Sequence, residues 1–578
     1  MQCELRVSLP SSTPVVGVEI KPQVFPSRSG SAKLPDHSVI FNWYRYHSDG
    51  EFPCCMHPSE SAAFQCMCCI MSNAPVKESY YCSKKCFLDS WKNHHACHFQ
   101  EAFTTSKTSN KDGQASMGKS SRSLSPWSGF DDVVDQDGQT WINVGSSKGY
   151  VPSMADHGYI LRLECAAVDK RGNPLSPVNI ILTDPVIVAP IPRPRFMIEI
   201  RSPEEFKYLS LEPKSSIAGT FSVLSYNILS DFYVNTELHG YCPRWALTWE
   251  YRRENLLREI VGYEADILCL QEVQSDHFMN FFEPELKKRG YSVIYKKKKD
   301  QLYTRNGSIT DGCATFFRRD RFKEIKRYEL EYGAYAHSVI KELNPSMRTE
   351  DHFRFAKDNV ALVVIFELKG NDTVSDALHS RICVANTHIH ANAKLTDVKL
   401  WQVATLIQGL EKIAKIDIPV LICGDLNSLP GSAPHNLLLL GKVDPNHPDL
   451  ESRTIGILQP SILQHRMSLV SAYAALCLTS SGGPDFKQQR ECISPETNEP
   501  MFTNFTDNFS GTLDYILYTA DRLMVEGLLE LLDQESLKKH TALPSPEWSS
   551  DHIALMAKFR VKPLLGLRKD AELPHLLW

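Results

Sequence analysis

The chain has 578 residues, of which 42% are hydrophobic and 23% charged, and its formal net charge is −5. That balance supports a sizeable core and more than one domain, and it excludes a global positive field drawing the chain to nucleic acid or membrane, so any such affinity must be local. No stretch approaches the ~20 apolar residues of a membrane span, and Met1 to Ser12 lacks the apolar run of a secretory signal, so no membrane contact and a soluble, intracellular protein are expected.

In chain order, Val39–Arg45 and Thr140–Ala167 have short-strand character with Gly and Pro turns, as do Tyr159–Leu163 and Asn179–Leu182. Residues 1–51 and 131–200 resemble two halves of a small immunoglobulin-like β-sandwich. Between them, residues 52–100 concentrate eight of the 17 cysteines. In a reducing compartment such density points to metal rather than disulfides. Four pairs, Cys54/His57, Cys66/Cys69, Cys82/Cys86 and His94/His98, have the two- or three-residue gap that lets both side chains grip one Zn²⁺. Pairing first with third and second with fourth makes two interleaved sites, with Cys97 an alternative to His98. Tyr81-Cys82-Ser83, Cys86, Trp91 and His94 resemble a MYND-type finger, which implies a protein-binding module. Residues 101–130 are polar and loop-like, and 201–218 form a linker.

From residue 219 to 562 the pattern changes to an α/β series. Strands are expected at Phe221–Leu229, Ile267–Leu270, Ala314–Phe317, Ala361–Phe366, Ile382–Ala385, Val420–Cys423, Tyr515–Tyr518 and Ile553–Phe559. Helices are expected at Trp249–Ile260 and Asp276–Leu286. Many strands with fewer helices suggest two packed sheets covered by helices. A tail follows from residue 563 to 578.

Apolar strands in this region repeatedly end on acids, amides and histidines, which can converge at a sheet rim as a site for a hydrated cation. Mg²⁺ prefers oxygen ligands and keeps several waters, so one or two carboxylates with an amide suffice. Glu272 is then the principal Mg²⁺ ligand, with Asn227 beside it. Asp425 orients or deprotonates water, Asn427 and His552 donate to the phosphate, and Asp514 orients His552. Any one of these residues alone is more simply a solvated loop residue; six motifs in a compatible order are not.

Ser225-Tyr226-Asn227, Leu270-Gln271-Glu272-Val273, Gly424-Asp425-Leu426-Asn427-Ser428 and Ser550-Asp551-His552 resemble the exonuclease/endonuclease/phosphatase superfamily. The resemblance implies a four-layer α/β sandwich of the DNase I type and a Mg²⁺-dependent phosphoester hydrolase. Tyr241–Leu247, Trp249-Glu250-Tyr251-Arg252, Asp311–Phe317, Lys357-Asp358-Asn359-Val360 and Phe502–Thr506 further resemble poly(A)-specific deadenylases of the carbon catabolite repressor protein 4 type.

That closer resemblance implies a 3′-to-5′ exoribonuclease that shortens mRNA poly(A) tails and releases AMP. Its catalytic positions fall on Asn227, Glu272, His388, Asp425, Asn427, Asp514 and His552, and its substrate positions on Phe509 and Asn359. Phe509 matches the aromatic that stacks on the terminal adenine, although an isolated Phe is more often core. Relatives carry His-Trp-Asp-Pro where this chain has His390-Ala391-Asn392-Ala393, so half of the base clamp is missing. The Asp351–Ala356 stretch also lacks the family's Asn-Arg pair. The finger implies a second deadenylase subunit of the Ccr4–Not complex as partner, and cytoplasmic (P-body) and nuclear locations. The alternatives are a nuclease of relaxed base preference and a zinc-finger adaptor with weak nuclease activity.

Overall fold

The computed structural model describes residues 5–26, 38–46, 54–57, 60, 64–65, 80–94, 133–134, 140–200, 219–299, 302–304, 307–343, 353–369, 381–450, 457–478 and 484–562. They form two compact units, Met1–Ile191 and Pro192–Trp578. In the first, an antiparallel sheet runs in the order Val133–Val134, Thr140–Gly145, Ser38–Tyr46, Ile160–Val168, Asn179–Pro185. Trp43, Leu161, Leu163 and Cys165, each at most 0% exposed, centre its core. A short hairpin, Phe64–Gln65 with Tyr80–Tyr81, precedes the helix Lys84–His94.

Among the described residues the second unit holds two large sheets and two short strand pairs, Leu302–Thr304 with Gly307–Ile309 and Asn504–Phe505 with Ser510–Gly511. In chain order the strands of the large sheets are β1 (Met197–Glu199), β2 (Thr220–Asn227), β3 (Ile267–Gln271), β4 (Tyr291–Lys297), β5 (Gly312–Arg318), β6 (Phe322–Glu331), β7 (Val360–Leu368), β8 (Arg381–His388), β9 (Val420–Asp425), β10 (Leu469–Ser471), β11 (Asp514–Thr519), β12 (Leu523–Leu529) and β13 (Leu555–Val561). One sheet has the order β1-β12-β13-β2-β3-β5-β4 and the other β6-β7-β8-β9-β11-β10. The sequence reading placed residues up to 200 with the N-terminal strands. Here β1 pairs with Leu529–Gly527 of β12, so the chain from Pro192 onward belongs to the second unit.

Strand period 2 builds the layers. Phe221, Val223, Ile267 and Cys269 meet Leu362, Val364, Phe366, Ile382, Val384, Leu421 and Cys423 between the sheets. The alternate residues Leu224, Tyr226, Leu268 and Leu270 face α1 (Trp249–Gly262). Ala361, Val363, Ile365 and Ile422 face α2 (Thr396–Ala414). Both central strands are therefore apolar on both faces, as strands covered by helices must be. The result is the expected four-layer α/β sandwich. The helix expected at Asp276–Leu286 is interrupted by a π-turn at Phe278–Phe282, because Pro284 has no N–H for the helical ladder.

Candidate active site

Strand register assembles the site. β2 and β3 run parallel with Asn227 opposite Gln271, which leaves Glu272 one step beyond the strand end. In the other sheet β8 and β9 run parallel with His388 opposite Asp425, and Asp425 also pairs with Asp514 of β11. Gly424 permits this approach. With φ at 149°, a Cβ there would lie 1.9 Å from the Thr387 carbonyl oxygen. The two sheets are tied by Asn386 of β8, which accepts from the Gln271 amide at 2.8 Å and donates to the Ala314 carbonyl at 3.0 Å.

Asn227 is the hub. Its side-chain nitrogen donates to Glu272 Oε1 at 3.0 Å and to Asp425 Oδ2 at 3.1 Å, and lies 3.4 Å from His552 Nε2. Its oxygen accepts from the Leu229 N–H at 3.1 Å. Asn227 thus turns its donor, not its oxygen, toward the carboxylates. In this arrangement it orients the two acids. Glu272, held at φ 57°, also accepts from the Ser230 N–H at 2.9 Å. Such a left-handed non-glycine residue is costly, so its fixed geometry fits a site role.

Asp425 accepts the Asn427 N–H at 2.8 Å, while the Asn427 amide approaches His388 Nε2 at 3.0 Å and donates to the Ile389 carbonyl at 3.0 Å. His552 Nδ1 lies 2.6 Å from Asp514 Oδ2. The two histidines are opposite in charge. Burial, then Lys298, His552 and His390, hold His388 well below the usual range, so its Nε2 accepts from Asn427 as a neutral ring. Burial opposes charging of His552 too, but Asp514, Asp551 and Asp425 outweigh it and raise the imidazole well above its ordinary range.

Both key acids are hard to ionise. Burial, then Asp551 and Asp311, push Glu272 up to about 7. Burial, then Asp514, push Asp425 up to about 7. Two buried acids set among further carboxylates form a donor set that fits a hard divalent cation, which Glu272 would hold. Asp425, Asp514 and His552 also converge closely enough for a metal.

Asn359 is only 4% exposed; it donates to the His388 carbonyl at 3.1 Å and accepts from Gln402 at 3.2 Å. It therefore helps to position His388. Phe509 is 38% exposed and not core. It lies on the tip between Asn504–Phe505 and Ser510–Gly511, a hairpin bridged to the active site through Asn504 and His552. A Cβ on Gly511 would meet Leu429 at 2.8 Å and Phe509 at 2.9 Å, so both side chains crowd over that glycine beside the Asn427 loop. Ala391 and Ala393, where relatives are expected to carry the other half of the clamp, are small and exposed.

Sequence reasoning assigned no role to Arg252. This fully buried guanidinium donates to the carbonyls of Ile228, Leu229 and Ser549 and pairs with Asp231. It clamps the loop after Asn227 to the segment before His552, and only an Arg fork serves so many acceptors. Its signal in sequence was an arginine on the buried face of α1.

In the first unit Cys54, His57, Cys82 and Cys86 converge. His57 Nδ1 lies 3.3 Å from Cys82 Sγ, 3.5 Å from Cys86 Sγ and 3.8 Å from Cys54 Sγ, and the Cys54–Cys86 sulfurs are 3.6 Å apart. Those separations match the edges of a tetrahedron with Zn–S bonds of about 2.3 Å. This is the first-with-third pairing. Of the second set, Cys66, Cys69 and His98, with Cys97, lie outside the described residues, as does the side chain of His94.

The endonuclease/exonuclease/phosphatase family profile matches residues 224–552. Carbon catabolite repressor protein 4 homolog 1 of Arabidopsis thaliana is 47% identical over 97% of this chain and 98% of its own length. Homolog 2 of the same plant is 45% identical over 97% and 98%. The CCR4-Not complex 3'-5'-exoribonuclease subunit Ccr4 of Saccharomyces cerevisiae is 34% identical over 66% of this chain and 44% of its own length. A strand-end site of this composition on a four-layer sandwich, together with these matches, means that the chain belongs to the endonuclease/exonuclease/phosphatase family, among the carbon catabolite repressor protein 4 homologues.

Proposed function

We propose that this chain is a Mg²⁺-dependent 3′-to-5′ exoribonuclease that shortens poly(A) tails and releases AMP, acting with a second deadenylase subunit docked through the zinc module. The observation that carries the reading is the contact of one amide, Asn227, with both Glu272 and Asp425. The relatives named as 3'-5'-exoribonuclease subunits of the CCR4-Not complex support the substrate and the assembly.

In this reading Asp425 takes a proton from the attacking water; burial has already raised it toward neutrality, where a general base works best. Asn427 and the His552 imidazolium donate to the phosphoryl oxygens as their charge grows. The P–O3′ bond breaks, the adenosine 5′-phosphate leaves, and the 3′-oxygen of the preceding nucleotide takes up a proton. Asp514 keeps His552 charged and oriented. Glu272 would hold a Mg²⁺ ion, which would supply neutralisation of the charge growing on the phosphate and leaving oxygens. Phe509 offers one ring face to the terminal base.

A broader base preference is the second reading, favoured by the small, exposed Ala391 and Ala393. Purified protein with Mg²⁺ and 5′-labelled RNAs ending in A, U or C separates the two, with Asp425→Ala as control. Stepwise shortening of the A tail alone supports the deadenylase. Equal shortening of all three supports the broader nuclease, and no shortening by wild-type protein rejects both.

A further inference from the structure

Lys399 sits on α2 with only 7% of its surface exposed. Its apolar stem lies within the helix layer, and its Nζ donates to the main-chain carbonyl oxygen of Asn427. Among the described residues no carboxylate is within ion-pairing distance, so the ammonium is buried with a neutral oxygen as its hydrogen-bond acceptor. Taking an ammonium out of water is costly, and a chain carries that cost where the charge has a use.

The acceptor is a strained residue. Asn427 has φ 45°, in the left-handed region that a non-glycine side chain avoids. That turn is what lets its N–H reach Asp425 while its side-chain amide reaches His388 and the Ile389 carbonyl. Its N–H and its side-chain NH2 are therefore committed to the site, and its main-chain carbonyl is the group Lys399 holds. Relaxing the turn would swing the amide away from the phosphate and release the N–H that steadies Asp425.

The charge also matters where it stands. Asp425 and Asp449 partly offset the burial that pulls the Lys399 ammonium down, and the same ammonium adds to the fields that keep His390 in its neutral form. It therefore lies close enough to favour an anion entering beside Asn427.

We infer that Lys399 is a positioning residue for the phosphoryl-handling loop: it pins the left-handed Asn427 through its carbonyl and so aims the Asn427 amide and the Asp425 carboxylate at the scissile phosphate. This rests on the reading of Asp425 and Asn427 as phosphate-handling groups. A pinned turn acts on the transition state more than on ground-state binding, so the loss belongs in kcat.

The test compares full-length wild type, Lys399→Met, Lys399→Arg, Lys399→Gln and Asp425→Ala on 5′-labelled A-tailed RNA with Mg²⁺. Lys399→Met keeps the stem and removes donor and charge; it is expected to lower kcat about 10- to 100-fold with little change in KM. Lys399→Arg, which can still donate to the carbonyl, is expected to recover most of that loss, and thermal melting should be close to wild type in both. Lys399→Gln keeps a donor without charge and should fall between them, giving a readout even if Lys399→Met folds poorly. The inference is overturned if Lys399→Met or a folded Lys399→Gln keeps wild-type kcat, if the effect is confined to KM, or if Lys399→Arg is no better than Lys399→Met. An inactive wild type overturns the underlying reading instead, whereas an active wild type with inactive Asp425→Ala and fully active Lys399 variants overturns only this inference.

Discussion

Replacing Asp514 by Asn removes the charge that His552 leans on while keeping the size of the side chain. The two groups are 1% and 5% exposed, and their bond is 2.6 Å. An amide oxygen can still accept from Nδ1, so what is lost is the difference between a charge-assisted and a neutral bond, about 1–1.5 kcal/mol. If the imidazolium is needed in the transition state, kcat should fall about 5- to 13-fold. The pH dependence has a definite sign. His552 is raised above its ordinary 6.5 in the folded protein, so the stability it contributes is full below that value and is lost as pH rises through the folded pKa. Asp514→Asn therefore costs most at low pH, and the alkaline limb of kcat should move to lower pH because burial now meets fewer opposing charges. The assay is single-turnover shortening of 5′-labelled A-tailed RNA at saturating Mg²⁺ across the neutral range, with melting curves alongside. An unchanged kcat and an unmoved alkaline limb would refute the claim that Asp514 holds His552 charged.

Glu272 and Asp425 are raised from 4.5 and 3.8 to about 7, so chelated protein should lose thermal stability as pH rises from 4 to 7, and added Mg²⁺ should raise the melting temperature most at the upper end; a Mg²⁺ effect independent of pH would contradict it. Phe509→Ala should weaken binding of the terminal base by about 1–3 kcal/mol, read from KM on A-tailed RNA; an unchanged KM would contradict stacking. Cys82→Ser should lower bound zinc, measured by colorimetric release, and weaken capture of the second deadenylase subunit, while shortening of naked A-tailed RNA continues; unaltered zinc content would discount the tetrahedral site.

Much of the site was legible because strand-end motifs such as Gln271-Glu272 and Gly424-Asp425-Leu426-Asn427 are local in sequence, and the chemistry they permit follows from residue type. The double-sided apolar runs of Ile267–Leu270 and Ala361–Phe366 also declared strands covered on both faces, hence a layered fold. The roles of Arg252, Asn359 and Lys399 were not legible. Each is polar on an ordinary-looking segment, and each acts through a backbone carbonyl that any residue type would supply. The direction of the Asn227 amide was hidden for the same reason: its oxygen is claimed by the Leu229 N–H, a partner that no residue pattern marks.

The sequence by itself determined the chemical inventory, the order of the strands and the identity of the acids, amides and histidines at their ends, since these depend on side-chain type and on period along the chain. The tertiary structure decided their pairing: that Asn227 from one sheet meets Asp425 from the other, 198 residues away, and that His388 is neutral while His552 is charged. Those outcomes come from register between strands and from fields summed over several elements in a dry interior, and neither is a property of any single stretch of chain.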